Sequence, residues 1–296
     1  MLYNSVERDR KPYGTAFFYG RGITPQMLQN LHTHTDFCDG KCSSDEVIAS
    51  AVTRGFDSVG FSSHAPTSLR TDWEMRDIEG YVKKINALKK AYEGKIKIYL
   101  GVELDYFSKG LFESYDFDYK IGSVHGAEKD GVPIDFDNSV FVTRSAIDEH
   151  FCKNAIDFAR LYYDTVIKMS NEIDYDIVGH FDVVTKFSDL HPDLIDTESK
   201  EYRNAALQAL HTVREKHEVF EVNTGAVARG YKKLPYPAPF LLKEMRALDC
   251  KLVLTSDSHD AARLDYGFDE AKDYIRAHGF DTLYYLTDNG FSGEKI

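Results

Sequence analysis

Leu31-His32-Thr33-His34 closes one extended segment of this chain, and the same ending returns downstream. It returns as Phe61-Ser62-Ser63-His64, Ile121-Gly122-Ser123-Val124-His125, Ile177-Val178-Gly179-His180 and Leu254-Thr255-Ser256-Asp257-Ser258-His259. Six of the eleven histidines fall where a strand ends. Strand-like and helix-like stretches alternate almost throughout, and in a barrel of that construction every strand C-terminus opens on one face. Histidines from five strands, spread from position 32 to 259, then converge in space.

The spacing within two of these endings adds to the argument. His32-x-His34 puts two side chains on one side of an extended segment, because the strand period is two. Asp257-x-His259 repeats the geometry with mixed donors. Glu103 ends Ile96-Lys97-Ile98-Tyr99-Leu100-Gly101-Val102-Glu103, and an acid after a mostly apolar strand points into a pocket, although a surface carboxylate also closes strands. Asp39 follows the first histidine pair, with Asp36 as the alternative donor in the same loop. The set His32, His34, Asp39, His64, Glu103, His125, His180, Asp257 and His259 is imidazole and carboxylate without clustered thiolates. Such a set suits zinc, manganese or iron and is expected of a multinuclear metallohydrolase. His150, His191, His211, His217 and His278 fall in helices or loops and are read as structural.

Local signals place the elements. Ser43-Ser44-Asp45-Glu46 is a capping box that starts a helix over 45–52, and Gly55 stops it. A strand over 57–61 follows, then an amphipathic helix over about 74–93 with Ile78, Tyr81, Val82, Ile85, Leu88 and Ala91 on one face. Strands are expected over 96–103 and 117–124. A loop of about twenty residues after His125 is long for an α/β unit and is the candidate lid or specificity element. One helix over 145–172 comes next, then strands over 176–179, 219–223, 251–255 and 282–286, each separated by a helical segment. No linker or repeat divides residues 1–296, so one domain is expected.

Composition sets the outer limits. Hydrophobic residues at 43% support a large core, and no apolar run nears the roughly 20 residues that cross a bilayer. The first ten residues have no apolar stretch like that of a signal peptide, so a cytoplasmic protein is expected. Cys38, Cys42, Cys152 and Cys250 are too few for a disulfide scaffold; Cys38 and Cys42 lack the second pair that a zinc reading would need. A net charge of −12 argues against nucleic acid as partner. Lys83-Lys84 and Lys89-Lys90 are read as a helix's solvated face. An anionic substrate stays open, since two or three divalent cations bring about four to six positive charges into one pocket.

Together, Asn30-Leu31-His32-Thr33-His34-Thr35, Phe37-Cys38-Asp39-Gly40, Ser62-Ser63-His64, Gly101-Val102-Glu103, Gly122-Ser123-Val124-His125, Gly179-His180, Glu221-Val222-Asn223-Thr224-Gly225, Pro235-Tyr236-Pro237 and Ser256-Asp257-Ser258-His259 resemble the polymerase-and-histidinol-phosphatase (PHP) superfamily. Within it the chain is similar to the histidinol-phosphatase branch, over about residues 28–275. The resemblance implies a distorted (β/α)7 barrel with the metal site at the C-terminal ends of its strands. It implies a first metal on His32, His34, Glu103 and Asp257, and a second on Glu103, His125 and His180, with Glu103 as the bridge. A third falls to Asp39, His64 and His259, although some relatives carry histidine in place of Asp39. The implied reaction is hydrolysis of L-histidinol phosphate, in histidine biosynthesis, by a hydroxide bridging two metals; a broader phosphoesterase acting on nucleotides or sugar phosphates is the alternative.

Asp257, or His259 beside the third metal, is expected to pass a proton to the leaving alkoxide. Arg229 is the first candidate for holding phosphate, with a solvated loop arginine as the alternative. Arg160 is the second, on apolar flanks that suggest partial burial, and a coreward salt bridge accounts for it nearly as well. Asp72 or Glu74, beside the only tryptophan, is expected to meet the substrate's ammonium, unless both merely start the next helix. The long loop after His125 is the fallback.

Overall fold

The structure, a computed structural model, describes residues 26–68 and 72–296. The N-terminal segment read against a signal peptide lies outside them. Along the chain run β1 (Gln29–Asn30), α1 (Ser44–Arg54), β2 (Ser58–Phe61), α2 (Ile78–Ala91), β3 (Lys97–Leu104) and β4 (Tyr119–Gly122). Then come β5 (Gly126–Lys129), β6 (Val132–Asp135), α3 (Val140–His150), α4 (Ala155–Glu172), β7 (Ile177–Val178) and α5 (Lys200–Arg214). The last are β8 (Val219–Asn223), α6 (Gly225–Ala228), α7 (Pro239–Ala247), β9 (Lys251–Thr255), α8 (Phe268–Ala277), β10 (Thr282–Thr287) and β11 (Gly290–Lys295).

Seven strands form one parallel sheet in the order β1-β2-β3-β4-β7-β8-β9. A parallel bridge between Thr33 and Ser258, just past β1 and β9, brings its two edges together. His34 N donates to Ser258 O at 2.8 Å and Ser258 N to His32 O at 3.1 Å. This is the nearly closed, distorted (β/α)7 barrel that was expected, and the closing bridge sets the two donor pairs side by side.

Packing inside the barrel explains two glycines. Tyr119 lies across the interior and its hydroxyl donates to the carbonyls of Leu31 and Phe61. A Cβ on Gly60 would sit 2.3 Å from the Tyr119 hydroxyl oxygen, and one on Gly101 2.2 Å from its ring, so both neighbouring strands give way. Leu31, Ile121, Ile177, Val219, Val253 and Leu286 fill the layer around it. At the helix caps, Ser43 and Glu46 make the expected capping box, and Gly55 takes the left-handed conformation that ends α1.

Four sequence readings are corrected. The strand near 282–286 stands outside the barrel sheet, pairing antiparallel with β11. It closes the barrel's N-terminal mouth, where Gln29 Nε2 and Tyr99 Oη both donate to Leu286 O. The loop after His125 is a hairpin, β5–β6, followed by α3; its turn is Asp130-Gly131, both at positive φ, a combination that favours hairpins. The single helix over 145–172 is two helices, broken where Cys152 and Lys153 take positive φ, with Asn154 capping α4. The helix expected from about 74 starts at Ile78, capped by Asp77. Among the described residues no helix is long and apolar enough to cross a membrane.

Candidate metal centre

Glu103, on β3 and 1% exposed, touches five imidazoles. Its Oε2 lies 3.3 Å from His32 Nε2, 3.5 Å from His34 Nε2 and 2.8 Å from His64 Nδ1. Its Oε1 lies 2.9 Å from His180 Nε2 and 3.5 Å from His125 Nε2. Glu103 therefore points inward, among the histidines, and not to the surface. Asp257 Oδ1 sits 3.2 Å from His34 Nε2 and 3.8 Å from His32 Nε2. Asp39 faces His259 at 3.2 Å, His64 at 3.7 Å and His34 at 3.8 Å, whereas Asp36, also exposed, joins none of these pairs.

All nine candidate donors are thus gathered at one end of the barrel. Their atoms fall into overlapping groups: His34, Asp39, His64 and His259; His32, His34 and Glu103; His64, Glu103 and His125. His34 and His64 lie between groups, so the side chains do not divide as cleanly as the implied three sets. The other five histidines stay apart. His211 pairs with Glu244 on the surface, His217 stacks on Tyr175, and His278 bonds Tyr274 O at the end of α8.

The donor atoms suit cations. His32 Nε2, His34 Nε2 and Glu103 Oε2 are buried without hydrogen-bond partners, yet aim at one another across 3.3–3.5 Å. Buried polar atoms are rarely left so, and a divalent ion satisfies them together. Burial, with His259 and His64 beside it, holds His34 down at about 3, in the neutral form a metal needs. Burial also opposes charge on His32, but Glu221, Glu103 and Asp257 outweigh it and raise its pKa. Burial works against the Glu103 carboxylate too, and His32, His64 and His125 overcome it to hold the pKa low.

A second layer of residues, none predicted, orients these donors. Glu221, fully buried on β8, accepts from His32 Nδ1 at 2.6 Å, from the His180 backbone N–H at 2.6 Å, from Thr255 Oγ1 at 2.5 Å and from Asn223 Nδ2 at 2.9 Å. With Nδ1 so engaged, His32 presents Nε2 to the cluster. Asp105 Oδ2 accepts the His125 N–H at 2.8 Å and stands 3.4 Å from its Nδ1. A readable signal exists, since Glu221 is an acid within a mostly apolar strand, as Glu103 is.

Six of the nine donors, Asp39, His64, His125, His180, Asp257 and His259, line a cavity of about 270 Å³ that Trp73, Asp135, Asp137, Lys186, Arg229 and Tyr236 also line. Arg229 follows α6 and reaches back to Asp257: Nη2 donates to Oδ2 at 2.8 Å and Nη1 to the carbonyl at 3.1 Å. A Cβ on Gly225 would stand 2.9 Å from both Arg229 Nη2 and Asp257 Oδ2, so glycine keeps this path open. Arg160 differs from the expectation: it is exposed on α4, paired with Asp157 one turn away, and does not line the cavity. Lys186, unpredicted, supplies the second cation there, 3.0 Å from Asp137. Asp72 is exposed and Glu74 accepts from Thr67 N and Oγ1, so neither carboxylate lines the cavity, although Trp73 between them does.

The PHP domain pattern matches residues 30–225. A Deinococcus radiodurans protein named probable histidinol-phosphatase is 28% identical over 86% of this chain and 95% of its own length. The histidinol-phosphatase of Bacillus subtilis is 26% identical over 80% of this chain and 96% of its own. A solved structure from Lactococcus lactis, a histidinol phosphate phosphatase complexed with zinc, L-histidinol and phosphate, shares the fold with a TM-score of 0.69 at 22% identity. It covers 90% of this chain and 98% of that one.

Proposed function

The chain belongs to the PHP-domain family, and on that premise we propose that it is a metal-dependent phosphomonoesterase of the cytoplasm, a single domain that hydrolyses L-histidinol phosphate to L-histidinol and phosphate. One observation carries the reading: Glu103 sits among five imidazoles, with unpartnered donor atoms, beside a cavity that holds Arg229 and Lys186. The names of the curated relatives support the substrate, and four free cysteines support a reducing compartment.

His32, His34, Glu103 and Asp257, then Glu103, His125 and His180, then Asp39, His64 and His259 would hold two to three ions of zinc, manganese or iron. Such ions, when bound, lower the pKa of water and draw charge from a phosphoryl group. Arg229 and Lys186 would orient the phosphate, each held in place by a carboxylate. Asp257, fixed by Arg229 and 3.5 Å from His259 Nδ1, would work with that imidazole to move a proton to the leaving oxygen. Tyr236 and Val183 line the cavity and help to exclude water.

The test is phosphate release from histidinol phosphate after metal removal and re-addition, with metal content measured in parallel, against a panel of nucleotides, sugar phosphates and diesters. Activity that survives complete metal removal, or that is no higher on histidinol phosphate than across the panel, would overturn it.

A further inference from the structure

Most charges facing the cavity are answered by neighbours. Lys186 Nζ is tied to Asp137, 2.7 Å from its carbonyl and 3.0 Å from its carboxylate. Arg229 holds Asp257, and Asp39 faces His259. Asp135, at the end of β6, differs. Its Oδ1 accepts the backbone N–H groups of Asp137 at 3.1 Å and Asn138 at 3.0 Å, and among the described residues no cationic side chain pairs with it. Burial, with Asp137 alongside, raises its pKa.

The position is fixed by the hairpin. Asp135 is the cross-strand partner of Gly126, the residue after His125, and Phe136 N donates to His125 O at 2.9 Å. On another side of His125 stands Trp73, its ring 5.2 Å from that imidazole and 4.5 Å from His64. An indole beside His125 and a carboxylate without a cationic side-chain partner therefore line the same cavity. A phosphate dianion is repelled by Asp135, whereas an organic cation gains both an ion pair and an aromatic face.

We propose that Trp73 and Asp135 form the subsite that receives the positively charged end of a phosphomonoester substrate. The proposal rests on reading the cavity as a phosphatase site and assigns its selectivity to the hairpin after His125, with the indole as the opposing wall. The competing role for Asp135, capping the turn into α3, needs only Oδ1, which asparagine supplies equally well.

Asp135→Asn separates the two. With the metal-loaded protein, kcat/KM for histidinol phosphate is expected to fall about 10- to 100-fold, the size of a lost charged hydrogen bond. Phenyl phosphate, which has no cation, is expected to lose less than about threefold. Trp73→Leu should show the same selectivity with a smaller loss, about 2- to 30-fold. Trp73 is the only tryptophan, so its emission reports occupancy directly. L-Histidinol should change that emission in the wild type and need about tenfold more ligand or higher in Asp135→Asn. Equal losses on both esters, no loss on either, or emission that ignores L-histidinol would overturn the subsite. A wild type that hydrolyses neither ester would overturn the phosphatase reading instead, and the emission titration would still decide the subsite.

Discussion

Arg229 grips Asp257 twice, through Oδ2 at 2.8 Å and through the backbone carbonyl at 3.1 Å, and its Nη1 also stands 3.4 Å from His259 Nδ1. One guanidinium thus fixes a candidate metal ligand and faces the cavity with 32% of its side chain exposed. Arg229→Ala is expected to raise KM about 10- to 100-fold, the range for a charged hydrogen bond, with metal content kept. Arg229→Lys should recover little, because a point charge cannot span two acceptors. Unchanged kcat/KM in the alanine variant would return Arg229 to an ordinary loop arginine.

Glu103→Gln should lower kcat by more than about a hundredfold, beyond the losses seen when only an outer partner is removed. The reason is the five imidazoles on its two oxygens, which an amide cannot serve without turning N–H donors toward ring nitrogens. The fold should persist by circular dichroism. Near-normal turnover at full metal content would rule out a bridging role.

Glu221→Gln tests the layer behind the ligands. Four donors converge on this carboxylate, so a glutamine must point its NH₂ at one of them. Facing His32, that NH₂ makes Nδ1 an acceptor and moves the ring proton to Nε2, the atom offered to the metal. Metal affinity should drop about 10- to 100-fold in chelator competition. Stability should fall by about 1–3 kcal/mol, the cost of one unsatisfied buried group. Unchanged metal affinity would sink the orienting role.

The donors were legible because strand endings share one face: a histidine read at a strand's end stays at that end whatever the helices do. The barrel's closing bridge, Thr33 to Ser258, was not written in any local pattern, since it joins residues over 200 positions apart. Asp130-Gly131 is a turn signal set within a polar stretch, where only the pairing of β5 with β6 marks it as a hairpin. Arg160 is exposed despite its apolar flanks, because such flanks show which helix face is buried but not where a side chain between them points. Lys186 carried no signal, since a lysine beyond a strand's end is ordinary on a surface, and only its pairing with Asp137 in the cavity gives it meaning.

His217 should add a measurable acid sensitivity. Its ring stacks on Tyr175 at 3.9 Å and 3°, and burial holds its pKa below the usual value. An unfolded histidine takes up its proton near about 6.5. Below that pH the unfolded state binds more protons than the folded one, so stability falls as pH drops from about 6.5 toward the lower folded pKa. The slope of Tm against pH over about 7 to 5.5 should be shallower in His217→Gln than in the wild type at equal metal loading. Identical slopes would show that the ring's burial has no such consequence.

Glu74 acts as a clamp, and its charge is not the selector. Its Oε2 accepts Thr67 N at 2.7 Å and Thr67 Oγ1 at 3.0 Å, while Met75 N donates to His64 O at 3.0 Å. These bonds bracket Trp73 and hold its ring over His64 and His125. Glu74→Ala should release the ring, move Trp73 emission toward that of an exposed indole, and raise KM for histidinol phosphate more than for phenyl phosphate, as Trp73→Leu does. Glu74→Gln keeps an acceptor oxygen for the two Thr67 donors and should behave nearly as the wild type. Asp72→Asn, at an exposed position, should change neither substrate's kcat/KM. A selective loss on histidinol phosphate in Asp72→Asn or Glu74→Gln would reinstate these carboxylates as the ammonium's partners and move the recognition site away from Asp135.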